Sequence, residues 1–568
     1  MRYKLKPFPD REAIDRLAGE ASVNPVTAAL LLQRGVKTGA EAREFFRPRT
    51  GGDPLLLPDI DKAAAILDEA LSRGWGVMIF GDYDVDGQTA TAILSKALSG
   101  LGFRVGFRLP DRLNSGYDVT PAQVREIAAE GWQVLLTCDC GSRASEAVKT
   151  AKELGMKVIV TDHHELGADA AAPHALINPH RPDSRYPYEF LCGAGVAYRF
   201  IHGLLLRRGI DPRGFLRKYA DLVCLGTVAD SVPLTGENRY LVKEGLEYVK
   251  QPVSRRIGIK TLIERGKPEE VTAKYLSFFV IPQLNSASRM GETEKAFRLL
   301  TETDPARLEE QLADLSELNN RRKKEEEEGY GKAALDVYKG GMDKDDVIVV
   351  KGSWLHSLSG NIASRLCKTF NRPVIAIGES RENGVCIGSA RNNDMVDILS
   401  LLEDCAGLLE RYGGHKAAGG ITIREDNIPA FRSRINEACR RRYPEGPSEA
   451  AEAVDLQIGS SCFAPGRIMP LCEELERMEP FGEANRRPVF LTKNVLVEGA
   501  EVFGKTKKHL RLRLGEKPCS IEAILWNRGE ELYSFSKGMR INVIYSPELH
   551  SFREKTARLI VTDWAPGS

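Results

Sequence analysis

The chain has 568 residues, with 80 Lys and Arg against 79 Asp and Glu, a length that divides into about three or four domains. A net charge of +1 excludes a globally basic nucleic-acid binder, so any basic surface must be gathered locally. No run of 18 apolar residues occurs, the start Met1-Arg-Tyr-Lys-Leu-Lys6 lacks a signal-peptide core, and the eleven cysteines are scattered without a CxxC pair; the sequence therefore predicts no membrane span and a cytoplasmic protein with reduced thiols.

Residues 1–74 read as short helices (24–34, 41–46, 60–73) around a loop with Pro48, Pro54 and Pro58, an arm expected to pack on the domain that follows. From Trp75 strand-like runs (77–80, 104–109, 134–137, 157–160) alternate with helical ones (89–101, 121–130, 144–154). That alternation predicts an open, mainly parallel sheet covered by helices, whose site lies at the carboxyl ends of the strands.

The strand ends carry the chemistry. Gly81-Asp-Tyr-Asp-Val-Asp-Gly87 offers Asp82, Asp84 and Asp86, Thr137-Cys-Asp-Cys-Gly141 offers Asp139, and Thr161-Asp-His-His-Glu165 offers Asp162, His163 and His164. A helical stretch, 216–225, runs into Gly226-Thr-Val-Ala-Asp230 and adds Asp230. Carboxylates crowded in this way repel one another unless cations neutralise them, and their oxygens favour hard divalent ions. A calcium-binding helix-loop-helix would need Glu at the twelfth position from Asp82, where Ile93 stands. An aspartyl-phosphate site would explain an Asp-x-Asp but not the histidines. Cys138 and Cys140 mimic a soft-metal pair, but as residues flanking a strand end they read as packing.

Residues 305–345 read as a long connecting helix, and its run Arg321-Arg-Lys-Lys-Glu-Glu-Glu-Glu328 as a solvated face with opposite charges three and four apart. A second α/β pattern covers 346–445: strands 347–350, 374–377 and 385–389, then a helix 395–411 before Gly413-Gly-His415. Glycines at 413, 414, 419 and 420 allow backbone N–H groups to approach a phosphate. After a linker at 444–448, residues 450–568 look β-rich, with alternation at 489–497, 510–514, 521–526 and 541–545. Arg511 and Arg513 share one face of a strand and leucines the other; with Phe503 and Trp526 this suits an OB-like barrel tracking a single strand.

Asp-x-Asp-x-Asp-Gly, Asp-Cys-Gly, Thr-Asp-His-His and Gly-Thr-Val-Ala-Asp, in this order, resemble the four motifs of the DHH phosphoesterases. Arg411-Tyr-Gly-Gly-His-Lys-Ala-Ala-Gly419 is similar to the signature of the associated DHHA1 domain. The resemblance implies a DHH catalytic domain at 75–304, a DHHA1 domain at 346–445 and a metal-dependent exonuclease releasing 5′-mononucleotides from single-stranded DNA with 5′→3′ polarity. It implies two divalent ions, Mn2+ or Mg2+, held by Asp84, Asp86, Asp139, His163 and Asp230 with Asp139 bridging. Asp82 would be a nearby acid, Asp162 would orient His163, and His164 would meet the scissile phosphate. Arg112, Arg289, Ser389, Arg391 and His415 are the expected substrate contacts. Expected partners are single-stranded DNA, a single-strand-binding protein and a helicase, around a monomer. Two other readings stay open: a phosphodiesterase for cyclic dinucleotides or short oligonucleotides, and an inactive replication scaffold. The chain departs from the family pattern at Ser288, where glycine is usual, and at Leu358-Ser-Gly-Asn-Ile-Ala363.

Overall fold

The computed structural model describes the chain apart from residues 1, 50, 114–117, 168–169, 252–255, 380–383, 394, 448–450, 551–554 and 568. Position 448 of the expected linker lies outside the described residues.

The first α/β domain is a five-stranded sheet. Its strands are β1 (Gly76–Gly81), β2 (Arg104–Arg108), β3 (Val134–Cys138), β4 (Lys157–Thr161) and β5 (Ala175–Ile177). They lie in the order β2-β1-β3-β4-β5 and every pairing is parallel. β1 is buried along its whole length, as a strand covered on both faces must be. Alternate residues feed two cores: Val77 and Ile79 join one cluster, Met78 and Phe80 the other. Three helices shape the site: α1 (Val85–Gly100), α2 (Gly193–Arg207) and α3 (Ala220–Ala229). The stretch expected as one helix at 216–225 is split at Tyr219, with Arg213–Lys218 forming a separate short helix. β5 was not foreseen, because its three residues give no period to read.

Helix α4 (Ile281–Arg289) leads through Thr293–Thr301 to α5 (Pro305–Lys339), the long connecting helix. Leu308, Leu312, Leu315 and Leu318 of α5 pack into the first domain, and Ala333 and Val337 into the second. The second sheet contains β6 (Ile348–Leu355), β7 (Val374–Glu379), β8 (Val385–Arg391), β9 (Arg411–His415) and β10 (Ala418–Arg424), in the order β9-β10-β8-β7-β6. Helix α6 (Ser359–Phe370) covers it. The helix expected at 395–411 is instead a short one, Ile398–Glu403, and Arg411–His415 is a strand. Pairing of residues 411–415 with the open edge of β10 outweighs the helical pattern, as ladder hydrogen bonds override local propensity. A Cβ at Gly414 would lie 2.3 Å from the Ala418 carbonyl, so the hairpin requires glycine there.

The C-terminal barrel consists of β11 (Phe490–Phe503), β12 (His509–Leu514), β13 (Ile521–Leu525), β14 (Arg540–His550) and β15 (Thr556–Pro566), closed by pairing of β11 with β14. Leu510, Leu512 and Leu514 point into it, while Arg511 and Arg513 do not.

The N-terminal arm corrects one expectation. Among the described residues of 2–49 none joins the first domain's core; Leu17, Leu30 and Leu31 belong to the barrel's core with Phe463, Phe490 and Tyr545. Tyr3–Leu5 pairs in parallel with Glu452–Val454, Lys6 Nζ donates to Asp455 at 2.7 Å, and Glu474 accepts from the Asn24 N–H at 2.9 Å. Only the later segment, with Leu57, Ile60, Ala63 and Leu67, joins the first domain. Apolar periodicity says that the arm has a buried face, but not which of two cores takes it. Arg239 ties the three parts together, donating to the carbonyls of Phe45 and Glu479 at 2.7 Å each. Among the described residues no helix is long and apolar enough to cross a membrane.

Candidate active site

The acids of the first domain converge at the carboxyl end of its sheet. Asp84 is the N-cap of α1, its Oδ1 accepting from the N–H groups of Asp86 at 2.9 Å and Gly87 at 3.1 Å. Asp86 turns both oxygens to the start of α2, accepting from Gly193 at 2.7 Å and Ala194 at 2.9 Å, where the helix dipole favours an anion. Asp139 follows β3 with φ of 59°, a left-handed conformation that non-glycine residues hold at a cost and that clusters at functional sites. A Cβ at Gly193 would come 2.5 Å from Asp139 Oδ1, so α2 must open with glycine. Asp230 caps the far end of α3.

Three sets of potential ligand atoms lie within 4.8 Å: Asp82–Asp84–Asp139, Asp86–His163–Asp230, and Asp139–His163–His164. Residues spread over nearly 150 positions of sequence therefore meet in one pocket. His163 Nε2 is 3.1 Å from Asp139 Oδ1, 3.6 Å from Asp230 Oδ2 and 4.0 Å from Asp86 Oδ2. Both His163 Nε2 and Asp139 Oδ1 are buried and make no hydrogen bond, although buried polar atoms almost always do. Burial first, then the neighbouring carboxylates, push Asp82, Asp139 and Asp230 well above the usual carboxylate range and Asp86 up to about 6. Burial, with the charge of His164, lowers His163 to about 3, leaving a neutral imidazole. Crowded carboxylates around an imidazole with an unused lone pair form a donor set for a hard or borderline divalent cation.

The expected partnership between Asp162 and the His163 ring is not found. Asp162 Oδ1 meets His164 Nδ1 at 2.8 Å and also accepts from the backbone of His163 at 2.8 Å, while Oδ2 accepts from the Ser142 N–H at 3.0 Å. Adjacent side chains on a turn face different ways, so one carboxylate serves only one of the two rings. Burial opposes charge on His164, but the bond to Asp162 prevails and raises it to about 9. The same pair holds Asp162 well below its ordinary range despite burial. Asn178, just past β5, donates to the His164 carbonyl at 2.9 Å and to Ser142 Oγ at 3.2 Å. Sequence reading missed Asn178 and the Gly193-Ala-Gly195 helix start; glycines opening a helix were the available signal for the second.

The basic residues gather in the cleft between the two α/β domains. Arg112 lies over the Tyr83 ring, 4.7 Å from its centroid. Arg289 donates to the Ser357 carbonyl at 2.7 Å, and Ser357 Oγ donates back to the Arg289 carbonyl at 2.6 Å. Burial and the charges of Arg112 and Arg322 lower Arg289 to about 9, and burial and Arg112 lower Arg391. A Cβ at Gly360 would fall 2.7 Å from an Arg391 guanidinium nitrogen and 3.7 Å from Ser389 Oγ, so the start of α6 borders this cluster. Arg322 corrects the reading of the charged run as wholly solvated: it is 8% exposed and pairs with Glu326 at 2.7 Å. His415 is exposed on the outer hairpin. Strand register sets it opposite Ala418, itself opposite Arg391, two strands away from the arginine.

Comparison with known proteins bears on the whole chain. The DHH family N-terminal domain matches residues 76–227, the DHHA1 domain 345–441 and the RecJ OB domain 467–563. The single-stranded-DNA-specific exonuclease RecJ of Bacillus subtilis is 32% identical over 570 residues, spanning 100% of this chain and 71% of that protein. The crystal structure of RecJ in complex with Mn2+ from Thermus thermophilus superposes with a TM-score of 0.84 at 29% identity, over 100% of this chain and 80% of the other. The Mg2+ complex from the same organism gives a TM-score of 0.78 at 29% identity, over 100% and 79%. With all three domains matched and identity sustained from end to end, the chain belongs to the RecJ family of single-stranded-DNA-specific exonucleases.

Proposed function

We propose that this protein hydrolyses single-stranded DNA from its 5′ end to 5′-mononucleotides, using two divalent cations, Mn2+ or Mg2+. The observation that carries the reading is the unsatisfied pair Asp139 Oδ1 and His163 Nε2, 3.1 Å apart amid the carboxylates of Asp82, Asp84, Asp86 and Asp230 and a second histidine. Asp84, Asp86, Asp139, His163 and Asp230 would hold the ions; Asp139 and His163 each belong to two of the ligand groups, and of these the carboxylate, with two oxygens, would be the one able to serve both ions. When bound, the ions lower the pKa of water and neutralise charge on the phosphate. Asp82 supports them as a neighbouring acid. Asp162 keeps His164 protonated at neutral pH, so that His164 donates a hydrogen bond or proton at the scissile phosphate.

Arg112, Arg289, Ser389 and Arg391 hold the terminal phosphate, whose oxygens suit guanidinium forks. His415 adds a contact from the hairpin. The 5′→3′ polarity is carried by the resemblance to the family, and a clamp for a terminal phosphate is compatible with it. On the barrel, Phe503, His509 and Trp526 cluster with centroids 4.9 to 5.8 Å apart, and Arg511 lies over Phe503 at 5.0 Å. Such an aromatic and basic face tracks a single strand and favours a long substrate over a dinucleotide. An enzyme confined to single strands needs another protein to open duplex, which supports a helicase and a single-strand-binding protein as partners. All eleven cysteines are free, in keeping with a cytoplasmic protein, and we take it to be a monomer.

The test uses end-labelled single strands, duplexes and dinucleotides with Mn2+. Mononucleotides should appear from the 5′ end of single strands alone and be absent with Asp139→Ala. Preferential digestion of dinucleotides, or no cation-dependent product, would overturn the proposal.

A further inference from the structure

Between the first domain and the barrel lies a second cavity of about 340 Å³, within the size range of small-ligand sites. One wall comes from Thr227, Val228, Ser231 and Val232, which flank Asp230 on both sides. Phe278 lines it as well, and Phe481 and Arg487 come from the segment leading into the barrel.

Phe278 is 78% exposed, an unusual position for a large aromatic side chain in a helix whose neighbours Leu276 and Val280 are fully buried. It sits in a π-helical turn, Leu276–Val280, directly before α4. Such turns are rare, cost helix stability and concentrate at functional sites. The cavity's two arginines already have partners, and Lys274 is the remaining basic residue of its wall. Arg487 bonds Glu479 at 2.7 Å and lies over Phe481 at 4.8 Å, and Arg486 faces Glu483 at 3.8 Å. Phe278 offers an open ring to a planar group, whereas one face of Phe481 is already taken by Arg487.

We infer that Phe278 is a stacking platform for a nucleobase of the substrate strand, on the 3′ side of the scissile bond. The inference rests on the nuclease reading above. The helical run from Phe278 to Arg289 spans about 16 Å at 1.5 Å per residue, so it links this cavity to the arginine cleft. A strand whose 5′ phosphate is held by the arginines reaches Phe278 within roughly five nucleotides at the stacked spacing of 3.4 Å. Because every base has a π face, the subsite selects strand length rather than sequence.

The experiment places 2-aminopurine at successive positions of a 5′-phosphorylated 12-mer and measures its fluorescence on binding in an Asp139→Asn background. Quenching should peak within the first five positions and disappear at that position with Phe278→Ala. In the otherwise unaltered enzyme, Phe278→Ala should raise KM for the 12-mer roughly five- to hundredfold, leave hydrolysis of a 5′-phosphorylated trinucleotide, too short to reach Phe278, unchanged, and be rescued by Phe278→Tyr. Persistent quenching in the alanine variant, an unchanged KM, or equal loss on the trinucleotide would overturn the inference. Absence of any Mn2+-dependent hydrolysis by the unaltered protein would instead sink the nuclease reading itself.

Discussion

The metal-ligand pocket and the arginine cleft are electrostatic opposites built by different means. The first packs Asp82, Asp84, Asp86, Asp139, Asp162 and Asp230 around two histidines within a single domain. The second brings together Arg112 after β2, Arg289 at the end of α4 and Arg391 at the end of β8, so it exists only when two domains are docked. In both, like charges crowd together, and burial first, then like-charged neighbours, push Asp82, Asp86, Asp139 and Asp230 up and Arg289 and Arg391 down, each toward its neutral form. Neither is stable as an isolated charge cluster in a low-dielectric setting. On the proposed function each would be a socket for the opposite sign: cations for the carboxylates, a terminal phosphate for the guanidiniums. A phosphodiester chain end would then satisfy both at once.

Asp139→Asn separates the pockets most sharply. Removing the shared ligand should cost several kcal/mol of transition-state stabilisation, about a thousandfold or more in kcat/KM with Mn2+, while the chelated variant should melt higher than the unaltered protein because one repelling charge is gone. A chelated variant that melts lower would show that the carboxylates are not in conflict. The next effect concerns pH. Asp86 is raised to about 6 in the fold, by burial and then Asp84, so the folded state binds more protons than the unfolded one between roughly pH 4 and 6. Stability of the chelated protein should therefore fall as pH rises through that window, by up to about 3 kcal/mol from Asp86, and continue to fall above it as Asp82, Asp139 and Asp230 ionise. Saturating Mn2+ should flatten the profile, as a ligand binding only the native state must; denaturant titrations with and without chelator check both.

The carboxylate pocket was largely legible in the sequence because each piece lies within a few residues of a strand end. The β1–α1 turn, the Asp139 turn and the Asp162–His164 turn all declare themselves by an apolar run that stops at acids. Less was legible where a contact depends on long-range docking. The partner of Asp162 could not be read, since the choice between two adjacent rings is made by the direction of the chain after β4. Arg322 read as solvent-exposed because helix periodicity cannot reveal a second domain on its far side. The arm of residues 1–49 was assigned to the wrong core for the same reason, and residues 411–415 became a strand because a free sheet edge was waiting for them.

The arginine cleft can be weakened without touching the ligands. Arg391→Ala should reduce the preference for 5′-phosphorylated over 5′-hydroxyl ends about ten- to hundredfold, the worth of charge-assisted bonds near 1.5–3 kcal/mol. The rise in melting temperature on adding Mn2+ should stay as in the unaltered protein. A lost Mn2+ response would mean that cleft and pocket are one unit.

His415 gives the smallest effect and the finest test of how far the cleft extends. It is exposed, and its strand is the outermost of the second sheet, so replacing it disturbs no core. Register sets it on the same rung as Arg391 with Ala418 between them, about 10 Å away at a strand spacing of 4.7–4.9 Å. That is too far to share the terminal phosphate with Arg391 and near enough to meet the next one along the strand. His415→Ala should therefore raise KM roughly two- to tenfold, the worth of a single exposed hydrogen bond, with kcat and the 5′-phosphate preference unchanged. If the variant loses the 5′-phosphate preference as Arg391→Ala does, the hairpin folds inward over the chain end when substrate binds, and the cleft has a moving wall rather than a fixed one.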